Sequence, residues 1–201
     1  MYGMSEIDTP HGPARAHLHL VDRLRAALVL GHGAGGGVEA RDIVAVASVA
    51  QAEQIGVALV EQPYRVAGRR APAPPRQLDA AWTAVVEQLV AGELAGLPLI
   101  VGGRSLGARV ACRTAAATGA SAVLCLSFPV HPPGRPEKSR LEELDAVTLP
   151  TLVIQGESDP FGMPSPGPNR EVVQVKGDHG LKADLDAVAA AAQGWLSGIV
   201  R

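Results

Sequence analysis

Apolar residues along this chain gather into short unbroken runs. Runs at 27–30, 57–60, 99–101, 122–126 and 152–154, with a looser one at 171–175, have the length of strands. A run of that length without polar alternation is what a strand covered on both faces requires. Between the runs the spacing changes. Leu78, Trp82, Val85 and Leu89 recur at helical intervals and predict an amphipathic helix over 77–94. Leu185, Val188, Ala192, Trp195, Leu196 and Ile199 fall on one face of a closing helix that Asp184 begins. Further helices are expected over 38–53, with Gly56 as its stop, from Leu106 toward Gly119, and over 137–146. Residues 17–21 alternate as an edge strand with His17 and His19 on one face, and the Pro- and Arg-dominated stretch 65–76 reads as loop. Residues 1–15 are polar and rich in Gly, Pro and His, which predicts a loose tail ahead of one domain over 16–201.

Strand and helix alternating in this way predict an α/β fold, a mostly parallel sheet with helices on both faces. Right-handed crossovers then gather the loops after the strands at one sheet edge, where such folds bind their ligands.

Composition narrows the function classes. At 201 residues the chain supports one full core, and its net charge of −2 gives no general attraction to nucleic acid or an anionic membrane. Cys112 and Cys125 lie in apolar surroundings without metal-ligand spacing and read as small buried hydrophobes of a reducing compartment. The first ten residues lack a basic-then-apolar leader, and no apolar run reaches the roughly 18–20 residues of a membrane span. The expectation is a cytoplasmic protein that acts on a small molecule without a metal or cofactor; oligomeric state stays open.

The chemistry concentrates after the strand at 99–101, in Gly103-Arg104-Ser105-Leu106-Gly107. A Gly-x-Ser-x-Gly pattern between a strand and a helix lifts the hydroxyl out of a sharp turn, and the glycines avoid collision with neighbouring backbone. A serine hydroxyl needs a base to take its proton, and the base needs an acid to orient it. Asp159 follows the strand at 152–154 and His179 follows the strand at 171–175, so Ser105, Asp159 and His179 come in the chain order Ser, Asp, His at the same edge. Glu157 and Asp178 compete for the acid role but lie beside a candidate instead of at a separate strand end. The loop after the first buried strand, His32-Gly33-Ala34, offers the N–H of Ala34 to join that of Leu106 on an oxyanion. His32 itself reads as an organiser of the loop, with substrate contact as the alternative. Arg65, Arg69 and Arg70 follow a strand end, where they either meet a substrate carboxylate or phosphate or are simply solvated.

Two other readings compete. Gly31, Gly33 and Gly36 match the Gly-x-Gly-x-x-Gly pattern of dinucleotide sites, with Glu61 where a ribose-binding acid would sit. A noncatalytic interaction module on the same fold is the second, although nothing in such a role requires all three residues.

With these motifs in place, the chain resembles the α/β-hydrolase superfamily, and within it the small lidless dienelactone-hydrolase-like group. The resemblance rests on His32 to Gly36, on Pro63-Tyr64-Arg65 ahead of Arg69 and Arg70, and on Gly177-Asp178-His179, and it spans 28–195. It implies a Ser105, Asp159, His179 triad acting on an ester or related acyl bond. Dienelactone hydrolases proper use a cysteine nucleophile, so that activity is not implied for Ser105. The same group includes proteins that serve as parts of larger assemblies. The short segment 128–140 leaves little room for a lid, which implies an open site for small or protruding substrates.

Overall fold

The strands form where the apolar runs lie. In a computed structural model describing residues 2–200, they are β1 (Tyr2–Ile7), β2 (Ala14–His19), β3 (Ala26–Gly31), β4 (Ile55–Glu61), β5 (Leu99–Arg104), β6 (Ala122–Leu126), β7 (Thr151–Gly156) and β8 (Arg170–Val175). They make one sheet in the order β1-β2-β4-β3-β5-β6-β7-β8, in which β1 and β2 are antiparallel to their neighbours and all other pairs are parallel. The helices are α1 (Arg41–Ala52), α2 (Pro63–Val66), α3 (Pro75–Ala91), α4 (Leu106–Thr114), α5 (Leu141–Asp145) and α6 (Leu185–Ile199). The chain is thus one α/β domain.

Because successive strand residues point to opposite faces, β3 serves both layers. Ala27 and Val29 join Trp82, Leu89 and Ala108 of α3 and α4, whereas Leu28 and Leu30 join Ile43, Val46, Val188 and Leu196 of α1 and α6. Each fully buried Val or Leu contributes about 1.5–3 kcal/mol, so the central strands are fixed by packing as well as by backbone pairing.

The outer strands differ, and there the sequence expectations need correction. Residues 2–7 of the expected tail form β1, paired with β2 from Tyr2 opposite His19 to Ile7 opposite Ala14. Only Ile7 of this strand is buried, so backbone pairing holds it and no hydrophobic pattern announces it. β2 starts at Ala14, because Ala14, Ala16 and Leu18 supply the inward face and small alanines disguise the alternation. α1 begins at Arg41, since turns from Gly33 to Gly36 and from Gly37 to Ala40 occupy the chain before it. The reversal after α1 falls on Gln54, at φ 61°, and Gly56 lies inside β4. The loop 65–76 yields its ends to α2 and to α3, whose Pro74 and Pro75 suit a helix entry that needs no N–H.

Candidate active site

The carboxyl ends of β3, β5, β7 and β8 meet at one edge. β5 passes into α4 through Ser105, whose φ of 51° and ψ of −105° are rare for a residue with a side chain. Such a conformation costs on the order of 1–3 kcal/mol and persists only where its surroundings impose it. Here they do. The Ser105 N–H donates to the Leu126 carbonyl at 2.9 Å, and β3 crosses so closely that a Cβ on Gly103 would sit 2.5 Å from the Gly31 oxygen. A Cβ on Gly107 would sit 2.6 Å from the Gly31 carbonyl carbon, so both glycines of the pattern are required by approach of the neighbouring strand.

The loops after β7 and β8 are stitched together. Ser158 N–H donates to the Gly177 carbonyl at 3.0 Å, and a Cβ on Gly156 would lie 2.7 Å from that same oxygen. This brings His179 between the other two residues: Nε2 is 2.8 Å from Ser105 Oγ and Nδ1 is 2.8 Å from Asp159 Oδ2. A carboxylate only accepts, so the proton of that second bond lies on Nδ1, and Nε2 is left to accept from the serine hydroxyl. The Phe161 ring stacks on the imidazole with centroids 4.1 Å apart.

The Asp159 side chain is fully buried, and a charge there requires several donors. His179 Nδ1 and Gln155 Nε2 both donate to Oδ2, and the Phe161 N–H donates to Oδ1 at 2.8 Å. The competing acids do not reach the imidazole: Glu157 is exposed, and Asp178 accepts from Gly180 N–H in its own turn. Arg104, between the glycine and the serine, donates through Nε to Asp42 at 2.9 Å and through Nη2 to the His179 carbonyl at 3.0 Å. Burial pushes the Asp42 carboxyl up, and the Arg104 guanidinium opposes that shift.

On the β3 side the loop 32–37 lies against the serine. A Cβ on Gly33 would be 3.8 Å from that of Ser105, placing the residue before Ala34 directly beside the hydroxyl-bearing turn. The N–H of Leu106 is the first of α4 and has no partner within the helix. Tyr64 donates its hydroxyl to the Ala34 carbonyl at 3.0 Å, and burial raises that phenol to about 12, so it remains a donor at neutral pH.

Substrate contact does not fit His32. It is 2% exposed, its Nε2 accepts from Gln62 N–H at 3.1 Å, and its Nδ1 donates to the Gly33 carbonyl at 2.8 Å. Burial lowers its pKa, so it is a neutral brace for the loop. Arg65 in α2, and Arg69 and Arg70 after it, have no ion-pair partner among the described residues and make no hydrogen bond to the side chains of Ser105, Asp159 and His179. Arg69 instead lines a separate cavity. The dinucleotide pattern is not realised either, because α1 starts five positions after Gly36 and Glu61 bonds His17 at 2.9 Å. Sequence reasoning missed Gln155, Arg104 and Asp42. The first two carry a visible signal, a polar residue closing a buried strand and a cation inside a glycine turn.

Among the described residues no group of three or more His, Cys, Asp or Glu is placed to hold a metal ion, and no helix is long and apolar enough to cross a membrane. The chain is similar in structure to a lidless α/β serine hydrolase from Xanthomonas campestris, with TM-score 0.77 and 22% identity over 96% of this chain and 92% of that one. It is likewise similar to a dienelactone hydrolase from Anabaena variabilis, with TM-score 0.77 and 17% identity over 97% and 96% of the two chains. The esterase domain of a Rhodothermus marinus protein matches at TM-score 0.72 and 13% identity over 100% and 98%. No curated protein matches the sequence. A family model for the alpha/beta hydrolase domain matches residues 24–186, and the chain belongs to that family.

Proposed function

We propose that the protein is a serine hydrolase that cleaves an ester or related acyl bond of a small substrate through an acyl-enzyme. The observation that carries this reading is the pair of 2.8 Å bonds on either side of the His179 ring. His179 Nε2 takes the Ser105 proton as Oγ attacks the carbonyl carbon. The oxyanion forms at the N–H groups of Leu106 and Ala34, and the developing imidazolium faces the Asp159 carboxylate. The tetrahedral centre collapses, the alcohol leaves with the proton from Nε2, and Ser105 holds the acyl group. Water then repeats the sequence: His179 accepts its proton, the acid is released, and the proton returns to Oγ.

The likeness to serine hydrolases and an esterase domain supports the reaction class. The short segment between β6 and α5 supports an open site suited to small or protruding acyl groups. Cytoplasmic residence accords with the buried free thiols of Cys112 and Cys125. The test is labelling by a fluorophosphonate probe together with turnover of p-nitrophenyl acetate. The wild type is expected to label and turn over and Ser105→Ala to do neither; equal labelling of the two would overturn the assignment.

A further inference from the structure

A cavity of about 320 Å³ lies between the turn joining β1 to β2, α2 and the start of α3. Ser105, Asp159 and His179 do not line it, and its wall is largely apolar, with Pro63, Tyr64, Val66 and Leu78 among its members. The polar residues His11, Gln62, Arg69 and Gln77 interrupt that wall, and Gln62 and Arg69 bear on what it holds. Gln62 is 5% exposed; its Nε2 donates to the Leu78 carbonyl at 3.2 Å, but its Oε1 is buried and has no hydrogen-bond partner among the described residues. An unmet buried acceptor is costly, and a ligand that brings a donor relieves it. Arg69 is exposed at the same cavity without an ion-pair partner among the described residues, and no lining residue is acidic.

We propose that this cavity binds a small amphipathic carboxylate bearing a hydroxyl or N–H donor. The donor meets Gln62 Oε1, the apolar body packs on Tyr64 and Leu78, and the carboxylate meets the Arg69 guanidinium. A positive charge with no acid among the lining residues selects an anion, the wall selects an organic body, and the orphaned oxygen selects a donor. The cavity is separate from the Ser105 edge yet shares residues with its support. Tyr64 holds the Ala34 carbonyl, and the Gln62 backbone N–H holds His32. An occupant therefore rests on the residues that brace the loop at 32–34.

The test is calorimetric titration of 4-hydroxyphenylacetate into the Ser105→Ala protein, so that its result does not depend on whether Ser105 turns over an ester. Binding to one site is expected, with a Kd in the millimolar range, about that of a small fragment, or tighter. 4-Methoxyphenylacetate, which lacks the donor, and 4-hydroxyphenylacetamide, which lacks the charge, should each bind about tenfold more weakly. Arg69→Gln should weaken the acid about tenfold and leave the amide unchanged, and Ala73→Phe, which fills the cavity from a half-buried lining position, should abolish binding. Absence of saturable binding overturns the proposal. So does binding that Arg69→Gln leaves intact, and because Arg69 is exposed that variant is expected to fold even if Ala73→Phe does not.

Discussion

The two halves of the functional edge are built differently. On the β7–β8 side side chains carry the arrangement: Asp159 is buried, receives three donors, and orients an imidazole stacked on Phe161. On the β3–β4 side backbone carries it. The loop 32–37 contributes the backbone proposed to meet the oxyanion, and Tyr64 and His32 hold it by hydrogen bonds to the Ala34 and Gly33 carbonyls. A buried carboxylate loses its function when one atom changes, whereas a loop held at several points tolerates the loss of one support. The two halves should therefore respond unequally to substitution.

The largest effect is expected at Asp159→Asn. The amide offers Nδ1 a donor or the wrong tautomer, and kcat should fall about 10⁴-fold while the fold survives; a steady-state assay against an unchanged circular dichroism spectrum checks it. Gln155→Leu is expected next. It strips one donor from Asp159 Oδ2 and leaves the Phe128 and Gly162 carbonyls without theirs. Stability should drop by about 1–3 kcal/mol in urea titration, and kcat by about tenfold, near the low end for a lost polar contact in a catalytic array.

Tyr64→Phe, on the backbone-built half, should lower kcat by less than about tenfold and leave the pH profile unmoved, because only one neutral hydrogen bond to Ala34 is lost. A loss as large as that of Asp159→Asn would erase the contrast between the halves.

The smallest effect belongs to pH. Burial holds the His32 pKa below its usual 6.5, so the unfolded chain takes up the proton first as acid is added. The associated stability is complete above about pH 6.5 and is lost as pH falls from there through the lower folded value. Urea midpoints measured from pH 7.5 downward should show this slope, and His32→Gln should reduce it.

The same contrast explains what the sequence discloses. Ser105, Asp159 and His179 are legible because each carries a side chain whose chemistry is rare at a strand end, and the covered strands announce themselves by continuous apolar runs. β1 was not, since five of its six side chains are not buried and its attachment is backbone pairing. The role proposed for Ala34 uses an amide that every residue other than proline possesses, so only the position of its loop pointed to it. Arg69 was legible as a cation near a strand end, but the cavity it lines is assembled from three separated segments. Gln155 closes a buried strand as a polar residue, a signal that becomes readable once Asp159 is placed beside it.

The link from Arg104 to Asp42 bears on how this gene can drift. Replacing Arg104 alone strands a carboxyl group in the interior with no counter-charge, and replacing Asp42 alone frees a guanidinium beside the imidazole-bearing turn. Descendants of this chain should retain both members or exchange both, so these positions, 62 residues apart, are expected to covary.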